Sequence, residues 1–449
     1  MKRQNIPGLA YAVVSNGKPL LRGNFGYASL EYKVPVSDSS RFWIASISKH
    51  MTCVAIMLLK QDGVLELDVP IKTYLHDAPE TWDAITIRHL MTHTSGLPNY
   101  EGNARNNIVP KKYSADEIYS NIKKDSLLFN AGEQFSYSDD GMNVLGYIIH
   151  KISGMSFNEF MQKHIFDPAK MQTAYLMDQV TIHPNQVTGY ALIDGKVVSD
   201  RNRARIVDVE LISAGGVFAS IDDMIHWDAA LNTNLLLTEE SKTMMYTPYT
   251  LNNGKQTGYG FGWFTTTMDN QLVLFHNGAS GVEFLKLPDN DLSIIVLINQ
   301  RVTNKFFAAG ISDILGTTPD ERKDYISKHK ETIVTAKKSD IKPLLGHYKF
   351  TISGNKGELS AIPKEENTRL ILNFPDGQSI ELLKLTDGSW LFYDTTFPLD
   401  RENEIAGIGQ DEITLTKVKN SKPLTFNFLF KGEIIGNMEK IGELESTKN

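Results

Sequence analysis

Apolar and polar residues alternate from the start of the chain. LAYAVV (9–14) and PLLRGNFGYASLE (19–31) flank Asn16-Gly17, which predicts a tight hairpin over residues 9–31. The period then changes. Ile47, Met51, Val54, Met57 and Leu58 recur at helical spacing, predicting a helix over 45–62 that Gly63 ends. From about 66 to 210 the pattern is mostly helix and loop, with one clear helix at GMNVLGYIIHKIS (141–153). Strand patterns return in QLVLFHNG, GVEFLKLP and DLSIIVLINQ. A turn cluster, Pro288 to Asp291, joins the last two, so they should pair antiparallel. A helix-like stretch follows at 302–315. The expectation for residues 1–316 is an α+β domain: an antiparallel sheet flanked by helices, with strands drawn from both ends and a helical insertion between them.

The pattern shifts near 317. Residues 317–342 are charged and poor in core positions and read as a linker. Short alternating runs then follow (LSAIP, RLILNF, SIELLKL, SWLFYD, EITLTKV, LTFNFLF), with Asp-Gly turns at 376–377 and 387–388. Residues 343–449 therefore read as a small all-β domain, a sandwich or barrel.

Composition narrows the function classes. The chain has 449 residues, 41% of them hydrophobic, which suits two or three globular domains. Its formal net charge is −7 and no long basic run occurs, so a nucleic-acid partner is not expected. No apolar run reaches the roughly 18–20 residues of a membrane span. One cysteine rules out an intrachain disulfide and a Cys-based zinc site. The apolar run of MKRQNIPGLAYAVV is short and reads as a strand, not as a leader. That fits either a cytoplasmic protein or a periplasmic or extracellular one whose leader has been removed.

Three stretches carry candidate chemistry. In Ser46-Ile47-Ser48-Lys49 the first serine and the lysine stand at i and i+3 at the start of an apolar helix. A serine needs a base or cation beside it to act as a nucleophile, and a lysine held against a core can relay a proton. Ser-x-x-Lys also occurs at 15, 120, 327, 339 and 353, so context alone distinguishes Ser46. Tyr137, before the 141–153 helix, is a possible general base next to a cation, although a lone tyrosine there is more often a core residue. His276-Asn277-Gly278 ends a strand, and an N–H just past Gly278 is placed to pair with that of Ser46 around an oxyanion. His89 and His93 share one helical face but have no third ligand, so no metal or cofactor is expected. Gly258, Gly260 and Gly262 lack the strand–helix context of a nucleotide loop. Gly-x-Ser-x-Gly is absent, and Cys53 reads as core.

Taken together, Ser46-x-x-Lys49, Tyr137-Ser138-Asp139 and His276-Asn277-Gly278 resemble the serine β-lactamase and penicillin-binding-protein superfamily, in its class C β-lactamase, DD-peptidase and family VIII esterase branch. IPGLAYAVV, HLMTHTSGL, SAGGVFAS and YGFGW agree with it. The resemblance covers about residues 5–316. The C-terminal part resembles the lipocalin-like β domain that often follows.

The resemblance implies an acyl-enzyme on Ser46, proton transfers shared by Lys49 and Tyr137, and an oxyanion N–H from Ala279. It implies that His276 polarises Tyr137 or binds a substrate carboxylate, and that Asn277, Gly278 and Asp139 line the substrate. Asp139 stands where the family usually has Asn, and His276 where it usually has Lys. Both departures favour a D-peptidase or esterase over a β-lactamase. The expected partner is a small-molecule or peptide substrate. The alternative is a catalytically weak penicillin-binding-like module that binds peptide-like ligands or assembles. The oligomeric state is left open.

Overall fold

The computed structural model describes residues 5–99, 113–178, 180–193, 196–200, 210–268, 270–301, 308, 311, 333–334, 336–352, 355–364, 369–373, 379–393, 413–419, 421–430 and 433–443. The helix expected at 302–315, apart from Ala308 and Ile311, and most of the linker expected at 317–342 lie outside the described residues. Two compact units emerge: residues 1–191 with 196–301, and residues 192–195 with 302–449.

The first unit is built on a seven-stranded sheet. Its strands are β1 (Gly8–Ser15), β2 (Lys18–Ser29), β3 (Val34–Pro35), β4 (Phe264–Met268), β5 (Gln271–Gly278), β6 (Val282–Leu287) and β7 (Leu292–Ile298), in the order β3-β2-β1-β7-β6-β5-β4. The hairpin forms because Asn16 and Gly17 both take positive φ, 50° and 68°, as a two-residue turn with matching twist requires. β1 then pairs antiparallel with β7, from Leu9↔Ile298 to Ser15↔Leu292. All seven residues of β7 are buried, as suits a central strand covered on both faces.

Helices supply the rest of the core. The expected 45–62 helix is a 3₁₀ turn, Ala45–Ile47, followed by α1 (Ser48–Gln61). α2 (Asp139–Ser153) starts two residues before the apolar run, because Ser138 caps it by accepting from the Gly141 N–H. α1 and α2 pack together, and α3 (Ile221–Leu231) packs on β1 and β7. A buried ion pair pins α3 to the sheet. The Lys286 ammonium on β6 lies 2.8 Å from Asp228 on α3, with Ser293 and Asn232 completing its hydrogen bonds.

Among the described residues the second unit has a short strand, Ile333–Val334, that pairs with Ser379–Leu385, and eight strands that follow one another around a ring: Gly346–Ile352, Asn355–Lys364, Arg369–Asn373, Ser379–Leu385, Trp390–Tyr393, Ile413–Lys417, Thr425–Phe430 and Glu433–Gly442. Each of the eight pairs antiparallel with the next, and the last pairs with the first. This closed up-and-down order is a barrel rather than a sandwich. Its core includes Tyr348, Leu372, Leu382, Trp390, Phe426 and Met438.

Candidate active site

Ser46 sits in the 3₁₀ turn that leads into α1, half-buried, where the first amide groups of the helix lack intrahelical partners. The residue before it, Ala45, has φ +46°, a conformation that costs a residue with a Cβ about 1–3 kcal/mol. Close packing holds it there. A Cβ on Gly278 would stand 2.6 Å from the Ile44 carbonyl oxygen and 3.1 Å from the Ala45 Cβ, so only glycine lets the end of β5 approach the Ser46 turn this closely. Ala279, just beyond, is exposed, and Asn277 is half-buried.

Lys49 lies one turn further on, fully buried. Its ammonium donates to Ser46 Oγ at 3.1 Å and to the Ala214 carbonyl at 2.7 Å, and it lies 2.7 Å from Asp139 Oδ1. It also stands 4.7 Å from the centre of the Tyr137 ring, within cation–π range. The Tyr137 hydroxyl interacts with both Lys49 and Ser46. Burial, the largest single influence on Lys49, works against its charge. Tyr137 and Asp139 together outweigh it, so the lysine is held charged above its ordinary range. Burial, assisted by the Asp139 charge, pushes the Tyr137 phenol up, although the Lys49 cation opposes this. The resting site is therefore an ammonium, a carboxylate and a neutral phenol around one serine hydroxyl.

The segment 213–217 orders the start of α1. Thr52 donates to the Ser213 carbonyl at 2.7 Å, Lys49 to Ala214, and the Trp43 indole to Gly215. Ser48 donates to the Ala45 carbonyl at 2.6 Å and accepts from the Val217 N–H at 3.2 Å. No local pattern marks Ser48 for this role, because its partner stands at residue 217.

Behind Tyr137 runs a buried relay that the sequence did not reveal. The Ser138 N–H donates to His93 Nδ1 at 3.2 Å. His93 Nε2 therefore carries the proton and donates to the Tyr259 hydroxyl at 3.3 Å. That hydroxyl donates to His276 Nε2 at 3.1 Å, and His276 Nδ1 donates to the Asn277 carbonyl at 2.8 Å. Every group is satisfied once, in one direction, and only with both imidazoles neutral. Burial first, and the Lys49 charge second, press both histidines toward that state: His276 falls to about 3 and His93 well below its ordinary value. His276 is thus brought to the site, its ring centre 6.2 Å from that of Tyr137, but as a buried neutral group. His89 does not join it. His89 accepts from the Thr86 N–H at helix Ile87–Met91 and meets the Tyr249 hydroxyl at 3.0 Å. The YGFGW glycines make a tight loop: a Cβ on Gly262 would lie 2.6 Å from the His50 Cα, next to Lys49.

The Beta-lactamase family model matches residues 1–316. Among curated proteins, the chain is 29% identical to Penicillin-binding protein 4* of Bacillus subtilis (strain 168) over 309 residues, 65% of this chain and 67% of that protein. It is 29% identical to a D-aminopeptidase of Gluconobacter oxydans (strain 621H) over 311 residues, 68% of this chain and 58% of that protein. The chain thus spans about 58–67% of the length of these relatives. Among solved structures, an octameric penicillin-binding protein homologue from Pyrococcus abyssi superposes with a TM-score of 0.65 at 20% identity, covering 98% of this chain and 97% of that one. A penicillin-binding protein from Bacillus halodurans gives 0.59 at 24% identity, covering 68% and 94%. At these identities the two structures speak for the fold alone.

Proposed function

Because the chain belongs to the Beta-lactamase family, a family of serine hydrolases, we propose that it hydrolyses an amide or ester through an acyl-enzyme on Ser46. One observation carries this reading: the Lys49 ammonium reaches Ser46 Oγ at 3.1 Å while Asp139 and Tyr137 surround it. In this reading Ser46 Oγ attacks the carbonyl carbon. Its proton passes to the Lys49–Tyr137 pair once that pair has lost one proton, since both groups rest protonated. The Ser46 and Ala279 N–H groups hold the oxyanion, the pair returns the proton to the leaving group, and water then releases the acyl group. His276 acts through position, fixing the Asn277–Gly278 strand end beside Ser46.

The substrate is a D-amino-acid peptide, a small ester or a β-lactam, with the first two favoured. An Asp139 carboxylate accepts where an amide would donate, and His276 is neutral where a cation would bind a carboxylate. One observation favours the alternative of a catalytically weak, ligand-binding module: Lys49 rests charged and so is not a ready base. A fluorophosphonate probe with mass mapping separates these readings from a non-hydrolase. Labelling on Ser46, lost in Ser46→Ala, is expected, and absence of label in the wild type overturns the proposal. Nitrocefin, p-nitrophenyl butyrate and a D-alanyl peptide, run in parallel, then divide the substrate classes, and a label that never turns over marks the weak module.

A further inference from the structure

We propose that Asp139 selects the substrate. Its outward oxygen takes a cationic nitrogen on the carbon next to the scissile carbonyl, so the preferred substrate carries a free α-ammonium group. The inference rests on the Ser46 reading and deepens it.

Asp139 spans from a buried cation to the open side of the site. Its partner Lys49 is fully buried, yet the Asp139 side chain keeps 31% of its surface exposed. Oδ1 faces Lys49, and the distances from Lys49 to Oδ1 and to Ser46 Oγ put the carboxylate within about 6 Å of the nucleophile. Among the described residues no hydrogen bond reaches the other oxygen. The Asp139 N–H, by contrast, is anchored on Asn99 Oδ1 at 3.1 Å, which fixes the residue at the start of α2. A carboxylate offers about four lone-pair sites, so one cation on Oδ1 leaves room for another on Oδ2.

Substrate geometry matches this reach. An α-nitrogen lies about 2.5 Å from its own carbonyl carbon, given the standard N–Cα and Cα–C bonds and the angle between them. A carbonyl poised about 3–3.5 Å from Ser46 Oγ therefore carries its α-nitrogen within about 6 Å of that oxygen, the same shell that holds the carboxylate. A charge-assisted hydrogen bond there is stronger than a neutral one. His276, with both ring nitrogens committed, offers no competing cation to a substrate carboxylate. The ammonium also shares the carboxylate with Lys49, which weakens Asp139's hold on that lysine as substrate arrives.

The test uses the full chain and matched substrates: D- and L-alanyl-p-nitroanilide with a free amine, and their N-acetyl forms. The wild type should favour the free amine by at least about tenfold in kcat/KM, carried in KM. Asp139→Asn should bring the ratio near one, and Asp139→Glu should restore part of it. If turnover collapses in a variant, protection of Ser46 from the fluorophosphonate by alaninamide, but not by N-acetylalaninamide, reads the same preference through binding. Acetylated substrates used equally well by the wild type overturn the inference, as does a preference that survives in Asp139→Asn. An enzyme that labels at Ser46 yet turns over and binds neither form overturns it as well, while the Ser46 reading stands. Absence of label on Ser46 in the wild type removes both.

Discussion

Replacing Tyr259 by Phe removes one oxygen and orphans two imidazoles. His93 Nε2–H loses its acceptor, and His276 Nε2 loses its donor, both inside the core. No other described group takes up either nitrogen, and the phenyl ring refills the same space, so no cavity forms. Each buried unsatisfied group costs about 1–3 kcal/mol, so the variant should lose about 2–6 kcal/mol of stability. At about 2–4 °C per kcal/mol for a unit of this size, Tm falls by about 5–20 °C. Urea unfolding followed by tryptophan fluorescence is the assay, because Trp43, Trp82, Trp227 and Trp263 all lie in the first unit and report on it. The midpoint should fall with m unchanged. Ser46 labelling should slow in folded protein, because the strand end bearing Gly278 loses the anchor on His276. A midpoint within about 0.5 kcal/mol of the wild type would refute the relay, since it would mean that the two nitrogens were never paired through Tyr259.

Three further outcomes are expected. His276, His93 and His50 are all held below their ordinary range by burial first, so the unfolded chain binds more protons than the folded one from about pH 6.5 downward, toward about 3 for His276. Stability is thus complete above about pH 6.5 and falls with acid by up to about 1.4 kcal/mol per pH unit for each histidine, which a urea series across pH 4–7 measures. In Asp139→Asn the carboxylate that holds Lys49 charged and raises Tyr137 is gone. The rise of Ser46 labelling rate with pH should therefore move to lower pH, and an unmoved profile contradicts the charge assignment. Lys286→Met leaves Asp228 buried without its cation and should cost about 3–5 kcal/mol in the urea midpoint, whereas Lys286→Met with Asp228→Leu should recover much of it.

What the sequence made legible was local. The Asn16-Gly17 hairpin, the 45–62 helix with Ser46 and Lys49 on one face, and the antiparallel pairing around Pro288 to Asp291 all follow from short-range periodicity and turn chemistry, and the structure bears them out. The barrel closure was only half legible, because alternation predicts strands but not that the strand at 433–442 returns to the one at 346–352. The relay was not legible at all. His93 and Tyr259 are 166 residues apart, and each looked unremarkable: His93 as half of a weak metal pair, Tyr259 as part of a glycine-rich loop. Ser48 carries no local signal for the same reason, its partner lying 169 residues away.

The pairing of β1 with β7 sets a schedule for the nascent chain. Leu9 is translated 289 residues before its partner Ile298. At about 5–20 residues per second, the N-terminal hairpin waits roughly 15–60 s on the ribosome before its central neighbour exists. Gly278, which packs against the Ser46 turn, is also translated late. The hairpin therefore spends that interval with an unpaired edge, a target for holdase chaperones, and a ribosome stalled before residue 278 carries the Ser46 turn without the strand that braces it.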